Sequence, residues 1–321
     1  MENFLYSQSV FAIEMDDQNY DCFHTSLDPD ELLQKAQGYF NEIRALTMST
    51  SRYQIVSYLE HVLYASAEFI FGSNFIENAG LDQEVTQRLC RDIFLGNPIP
   101  SDAELLKFSN RPKNFERSLK EIVQYALAWQ YLSKEFVASN APLSEDIILQ
   151  THNYLTDGID ASDGDKSSSY SGVYRTESVG SKLATFTPPN QVPSAMKCFV
   201  KEFNDDIVRA EKKGSLDPYM LAAKYCHKFV NIYPFLDGNR RACRLILNGI
   251  LLKYTGIVAP FGGNEREKEE YLEIAVRASM DEQVAEDERS RVPWGELASY
   301  MLGKGVSKME GLRKELQEPK V

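Results

Sequence analysis

Along most of this chain an apolar side chain returns every three or four residues, and the runs are bounded by helix start and stop signals. Asp28-Pro29-Asp30-Glu31 sets a capping Asp, a Pro at the first helical position and a first-turn carboxylate ahead of Leu33, Ala36, Phe40 and Ile43. Asp217-Pro218 repeats the start signal ahead of Tyr219 to Val230. The same period predicts helices near 52–71, 82–95, 113–138, 144–157, 194–212, 218–230, 241–255, 265–283 and 293–302. Gly96, Gly158 and Gly256 stand where C-terminal caps belong. Such a pattern predicts an all-α fold.

Two stretches escape the period. Residues 159–192 are rich in Ser, Gly, Thr and Pro, and within them Gly172 to Gly180 alternates enough to predict a short β-hairpin. The charged residues after Gly303 predict a frayed tail. No internal repeat is present.

With 321 residues, 43% of them hydrophobic, a sizeable core is within reach. The net charge of −12 repels phosphate backbones, so a nucleic-acid partner is not expected. No apolar run approaches the ~20 residues that span a bilayer, and the first residues lack the basic start of a secretory signal. A cytoplasmic protein without a membrane partner is the expectation, with a nuclear location left open. Five scattered cysteines, none spaced C-x-x-C, fit a reducing compartment. The four histidines show no metal-ligand spacing. Cys226 and His227 are neighbours on a helix, about 100° apart, which favours core packing over a thiolate–base pair.

The segment His227 to Arg244 carries the chemistry. A helix ends near Ile232, Pro234-Phe235-Leu236-Asp237-Gly238-Asn239 makes a turn, and a helix that is apolar nearly all round follows. A Gly-Asn turn feeding a helix start presents unpaired N–H groups and a positive dipole end, which suit an anion. Arg240, Arg241 and Arg244 cluster there at helical spacing, and Asp237 offers a hard oxygen for Mg²⁺. These are the parts of a magnesium-nucleotide site. They are equally the parts of an ordinary inter-helix turn beside a solvated basic face.

This segment resembles the signature of the Fic (fido) family, H-x-F-x-D/E-G-N-G-R-x-x-R, and two further blocks agree. Ser73-Asn74-Phe75-Ile76-Glu77-Asn78 matches the family's inhibitory motif S/T-x-x-x-E-G/N. Gly172-Val173-Tyr174-Arg175, with Pro188-Pro189 downstream, resembles the flap hairpin that aligns a target chain. The resemblance implies a compact multi-helix domain over 46–302, with inhibitory residues 73–78, a flap at 171–189 and a core motif at 227–244. An N-terminal extension (1–45) and a charged tail (303–321) would flank it. It implies transfer of AMP from Mg-ATP to a Ser, Thr or Tyr hydroxyl of a protein target. In such enzymes the counterpart of Asp237 holds Mg²⁺, and those of Gly238, Asn239, Arg241 and Arg244 bind phosphates. The counterpart of Glu77, with Ser73 and Asn78 in its motif, restrains the second arginine. Gly172, Tyr174 and Arg175 would position the target. Homo-oligomers are compatible with all of this.

Two positions depart from the signature. Tyr233 stands where the family has its catalytic His, and Arg240 replaces the second Gly. A phenol of ordinary pKa ~10 is only about 0.1% ionised at pH 7, and loss of a general base slows transfer by about 10²–10⁴. Arg240 fills space that Gly leaves for phosphate, although its charge can hold an anion. Impaired AMP transfer is therefore the expectation. A catalytically inactive nucleotide- or protein-binding module is the alternative, together with phosphate transfer as in the Doc branch, which carries Lys at the Arg240 position.

Overall fold

The periodic stretches become helices within a few residues of their predicted limits. A computed structural model describes residues 12–13, 19–21, 28–48, 52–100, 114–161, 164–180, 186–284 and 291–317. In chain order the elements are β1 (Ala12–Ile13), α1 (Pro29–Met48), α2 (Arg52–Ile76), α3 (Gln83–Leu95), α4 (Phe115–Leu132), α5 (Glu145–Thr156), α6 (Ser167–Tyr170), α7 (Val192–Lys213), β2 (Ser215–Leu216), α8 (Pro218–Ile232), α9 (Asn239–Thr255), α10 (Glu265–Asp281) and α11 (Gly295–Gln317). The fold is all-α, as the period predicts, and the described residues are 74% helical. The small sheet joins β1 to β2 in parallel, Ala12 opposite Ser215 and Ile13 opposite Leu216.

The start signals act as capping chemistry requires. The Asp28 carboxylate accepts the Asp30 N–H at 3.0 Å, and Asp217 accepts the N–H groups of Tyr219 and Met220. Gly96 and Gly256 end α3 and α9 in the left-handed conformation. Helix α9 is buried from Arg241 to Thr255, as expected of a helix apolar on all sides. Helix α8 lies along it, and α2, α4 and α5 complete its surroundings.

Gly72 allows α2 to press its last turns against the 261–263 loop. A Cβ at Gly72 would lie 2.1 Å from the Phe261 carbonyl oxygen and 3.2 Å from the Gly263 nitrogen. Both are main-chain atoms and cannot swing aside. Gly72→Ala is therefore expected to destabilise the protein by about 2–3 kcal/mol. Urea unfolding checks this, and an unchanged midpoint would refute the close approach.

Four differences from the sequence reading have physical causes. The helix near 113–138 widens after Leu132 into a π turn, Ser133–Ala138. The buried Lys253 ammonium binds there, donating to the carbonyls of Phe136 (2.9 Å) and Ala141 (2.7 Å). Burial pulls its pKa down to about 8. The second difference is the expected hairpin. Among the described residues of 171–189 no strand occurs, residues 181–185 lying outside the description, and the sheet is elsewhere. Third, the expected frayed tail is helix as far as Gln317, with Met309, Leu312 and Leu316 buried. Fourth, α1 crosses the boundary expected at residue 45 and packs on α11 through Leu33, Ala36, Phe40 and Ile43. There Arg313 donates to Glu42 at 3.2 Å and lies 5.0 Å from the Tyr39 ring centre.

Candidate functional site

The turn between α8 and α9 is built by side chains that bind main chain. Tyr233 ends α8 with φ 51° and ψ 61°, a left-handed conformation uncommon outside glycine. The Asn239 side chain closes the turn on both sides of one residue. Its Oδ1 accepts the Phe235 N–H (2.9 Å) and its Nδ2 donates to the Phe235 carbonyl (2.7 Å). Gly238 starts α9 at φ 77°, and a Cβ there would sit 3.1 Å from Thr156 Cγ2 and 3.2 Å from His152 Nε2. The position calls for glycine on both counts.

His152, on α5, was not among the residues singled out from the sequence, yet it holds this turn. Its ring stacks on Phe235 at 3.6 Å and 6°. Nδ1 accepts the Gly172 N–H (3.0 Å), which leaves the ring proton on Nε2 to donate to the Asp237 carbonyl (2.9 Å). Burial pushes its pKa down to about 3, and the Arg241 charge acts in the same direction. The imidazole is therefore neutral and structural. Its position on the buried face of α5, with Ile148 and Leu155, was the only signal available.

The three arginines are placed very differently. Arg244 is 1% exposed. Its Nε donates to Ser73 Oγ (2.6 Å), and its Nη2 donates to the Ser73 carbonyl (3.1 Å) and to Glu77 Oε1 (2.8 Å). Tyr125 donates to the same Ser73 hydroxyl at 2.7 Å. Arg241 is also buried, and its Nη1 has no hydrogen-bond partner. Arg240 is exposed, with Nη1 3.8 Å from Glu77 Oε2. Glu77 follows directly on α2, and Asn78 beside it is left-handed (φ 54°) and accepts from Lys268. Burial would push the Glu77 carboxyl up. The charges of Arg244, Arg240 and Arg241, with the Arg244 hydrogen bond, outweigh it and hold the group below the usual carboxylate range.

The half-buried Tyr233 ring stacks on Phe186, 4.2 Å between centres. Burial raises its pKa, and the carboxylates of Asp237 and Glu77 add to this while Arg240 opposes it. At neutral pH the phenol keeps its proton. Tyr233 and Phe186 border a cavity of about 180 Å³, together with Arg240, Arg244, Tyr271 and Trp294. His227 reaches its rim but is engaged with Glu282 and Asn231, each at 2.9 Å.

The flap residues serve the turn from the other side. The Arg175 N–H donates to the Pro234 carbonyl (2.9 Å), and its Nε donates to the Tyr233 carbonyl (2.6 Å). Its Nη atoms donate to the carbonyls of Glu177, Thr187 and Ile232. The guanidinium is thus occupied by main chain and does not face a target. Tyr174 donates to Glu145 (3.0 Å), with its ring 5.7 Å from Phe235. Gly172 supplies the N–H bound by His152, and Val173 is the exposed apolar residue of the segment.

Fold and site together define an all-α protein with a cationic cradle at the start of its central helix. Residues 142–251 match the Fic/DOC family model. A fido domain-containing protein of Dictyostelium discoideum is 39% identical over 83 residues, 26% of this chain and 55% of that one. The protein adenylyltransferase Fic of Drosophila willistoni is 29% identical over 142 residues, 44% of this chain and 26% of that one. The matches thus span about a quarter to a half of these relatives' lengths. Among solved structures, a Fic domain-containing signaling protein from Bacteroides thetaiotaomicron shares the fold at TM-score 0.66 and 17% identity, covering 89% of this chain and 99% of that one. Fic-1 of C. elegans shares it at TM-score 0.56 and 20% identity, covering 90% and 72%. The similarity to the Fic/DOC family thus covers residues 142–251, and over part of its length the chain is similar to protein adenylyltransferases.

Proposed function

We propose that the cradle binds Mg-ATP, that Glu77 restrains it, and that AMP transfer to a protein hydroxyl is slow because Tyr233 stands where a base is needed. Arg244 carries this reading. Its buried guanidinium is met by one carboxylate that Arg240 also approaches, at the edge of an apolar cavity. A carboxylate so placed stands in for a phosphate, and a nucleotide would compete with it. The orphaned Nη1 of Arg241 and the first N–H groups of α9, from Asn239 onward, supply further donors.

Asp237 suits a magnesium ion. One of its carboxylate oxygens accepts the Gly238 N–H (2.6 Å), leaving the second available. Magnesium takes one or two protein carboxylates and completes its shell with phosphates and water. That fits the described residues, among which no group of three or more His, Cys, Asp and Glu could hold a metal. When bound, the ion neutralises phosphate charge. In the transfer, the target hydroxyl oxygen bonds to the α-phosphorus, the bond to the bridging oxygen breaks, and pyrophosphate leaves. The hydroxyl proton needs an acceptor, and a protonated Tyr233 cannot take it. The same observation favours a second reading, a module that binds the nucleotide without turnover.

Calorimetric titration of Mg-ATP into Glu77→Gly tests the pocket. Saturable micromolar binding is expected, at least tenfold tighter than in the parent. Glu77→Gly alone is expected to melt earlier than the parent, because Arg244 loses its counter-charge. Mg-ATP at 100 times its Kd should return about 2.7 kcal/mol. A folded variant that gives no heat at several temperatures would refute the reading. No described helix is long and apolar enough to cross a membrane. The expected partners are the nucleotide and a protein target in the cytoplasm.

A further inference from the structure

Helices α10 and α11 enclose a second cavity of about 260 Å³, and Ile274 borders both it and the cavity beside Tyr233. Five carboxylates line it, from Asp21, Glu269, Glu270, Glu273 and Glu296, against two guanidinium groups, from Arg266 and Arg277. Part of this charge is already balanced. Asp21 meets Arg291 at 2.5 Å, and Glu296 and Glu273 meet Arg277 at 2.7 and 3.3 Å. Glu269 and Glu270 have no cationic partner among the described residues.

The second observation is Tyr300, which lines the same cavity and is 6% exposed. Its ring is fixed, edge-on to Phe261 at 6.0 Å with the Lys304 ammonium 5.2 Å from its centre. Its hydroxyl is buried and has no hydrogen-bond partner. The carboxylates of Glu267 and, after it, Glu270 lie close enough to act on it electrostatically. An unpartnered buried hydroxyl beside unpaired carboxylates is unfavourable unless a donor joins them.

We propose that this cavity binds an aliphatic ammonium group, supplied by a polyamine or by a lysine side chain. The ammonium has three hydrogens and no acceptor, and it pairs with the Tyr300 oxygen and the carboxylates of Glu270 and Glu269. The attached methylenes rest against Ile274. An anion is excluded by the surplus of carboxylates. A metal ion is disfavoured because the acids are interleaved with arginines, and no described cluster could hold one.

The test is calorimetric titration of the full chain with spermidine and, separately, with a short lysine peptide, both at 150 mM salt. One saturable site is expected. Tyr300→Phe keeps the ring and removes one oxygen, and it should weaken binding about tenfold, as should Glu270→Gln. Glu265→Gln, an exposed α10 carboxylate outside the cavity, should leave binding unchanged and controls for general surface charge. Tighter binding of spermidine assigns the site to a free polyamine, and tighter binding of the peptide assigns it to a protein lysine. Absence of saturation with both, or equal binding by Tyr300→Phe and Glu265→Gln, overturns the proposal. Thermal melts of each variant establish that all are folded.

Discussion

Tyr233→His combined with Arg240→Gly, in a Glu77→Gly background, is expected to raise adenylyl transfer by about 10²–10⁴ over the background alone. The scaffold around position 233 favours this. The carbonyls of residues 232, 233 and 234 are all held by Arg175, so the main chain should keep its place when the side chain changes. The left-handed conformation at φ 51° suits histidine better than most residues, and Phe186 offers an aromatic face to an imidazole. Arg240→Gly opens the approach to the first turn of α9, where an exposed side chain now stands. Label from ATP carrying a tagged α-phosphate, read as a mass gain on the chain and on target proteins, measures the effect. Equal labelling with and without the two changes would mean that Tyr233 is not what limits transfer.

His152→Ala is expected to remove about 3–4 kcal/mol of stability. It would delete a ring stacked on Phe235 and leave the Gly172 N–H and the Asp237 carbonyl without partners. The parent should also carry a pH signature. The folded imidazole titrates near a pKa of about 3, and an unfolded histidine titrates near 6.5. Between those values the unfolded chain takes up a proton that the folded chain refuses. Stability therefore falls as pH drops below ~6.5, approaching about 1.4 kcal/mol per pH unit, and this group adds no slope above neutrality. His152→Gln should flatten the slope between about pH 6 and 5, before most carboxylates titrate. Urea midpoints across that range measure it, and parallel curves for parent and variant would show that the burial of His152 has been misjudged.

The helices and the ends of the central turn were legible because they depend on neighbours in sequence. Asp217-Pro218 and Gly256 are local signals, and the apolar circuit of 245–252 could only be a buried helix. The meeting of Glu77 with Arg244 was legible only through the family resemblance, since no local rule links residues this far apart. What escaped is tertiary in origin. A glycine-rich, charged stretch after Gly303 has weak helix propensity, and α11 persists there because Met309, Leu312 and Leu316 are buried. Lys253 reads as a surface residue until the π turn brings two carbonyls to its ammonium. Arg175 reads as a binding residue, because nothing in sequence tells a guanidinium facing a target from one facing its own main chain.

The packing of α1 on α11 makes the described chain topologically a ring. Arg313 reaches Glu42 of α1 across 271 residues, and Lys308 reaches Glu68 of the neighbouring α2 across 240. Contacts with so long a span carry the largest loop-closure entropy, so they form late in folding. The α1 side of the seam should also be the first to part when the native state loosens, because α1 packs chiefly on α11 and hardly touches the central hairpin of α8 and α9, whereas α11 also packs on α8. Amide exchange should then be fastest along α1 and slowest along α9. A fragment trimmed to 46–302 would lose both sides of the seam and bare the apolar surface beneath it.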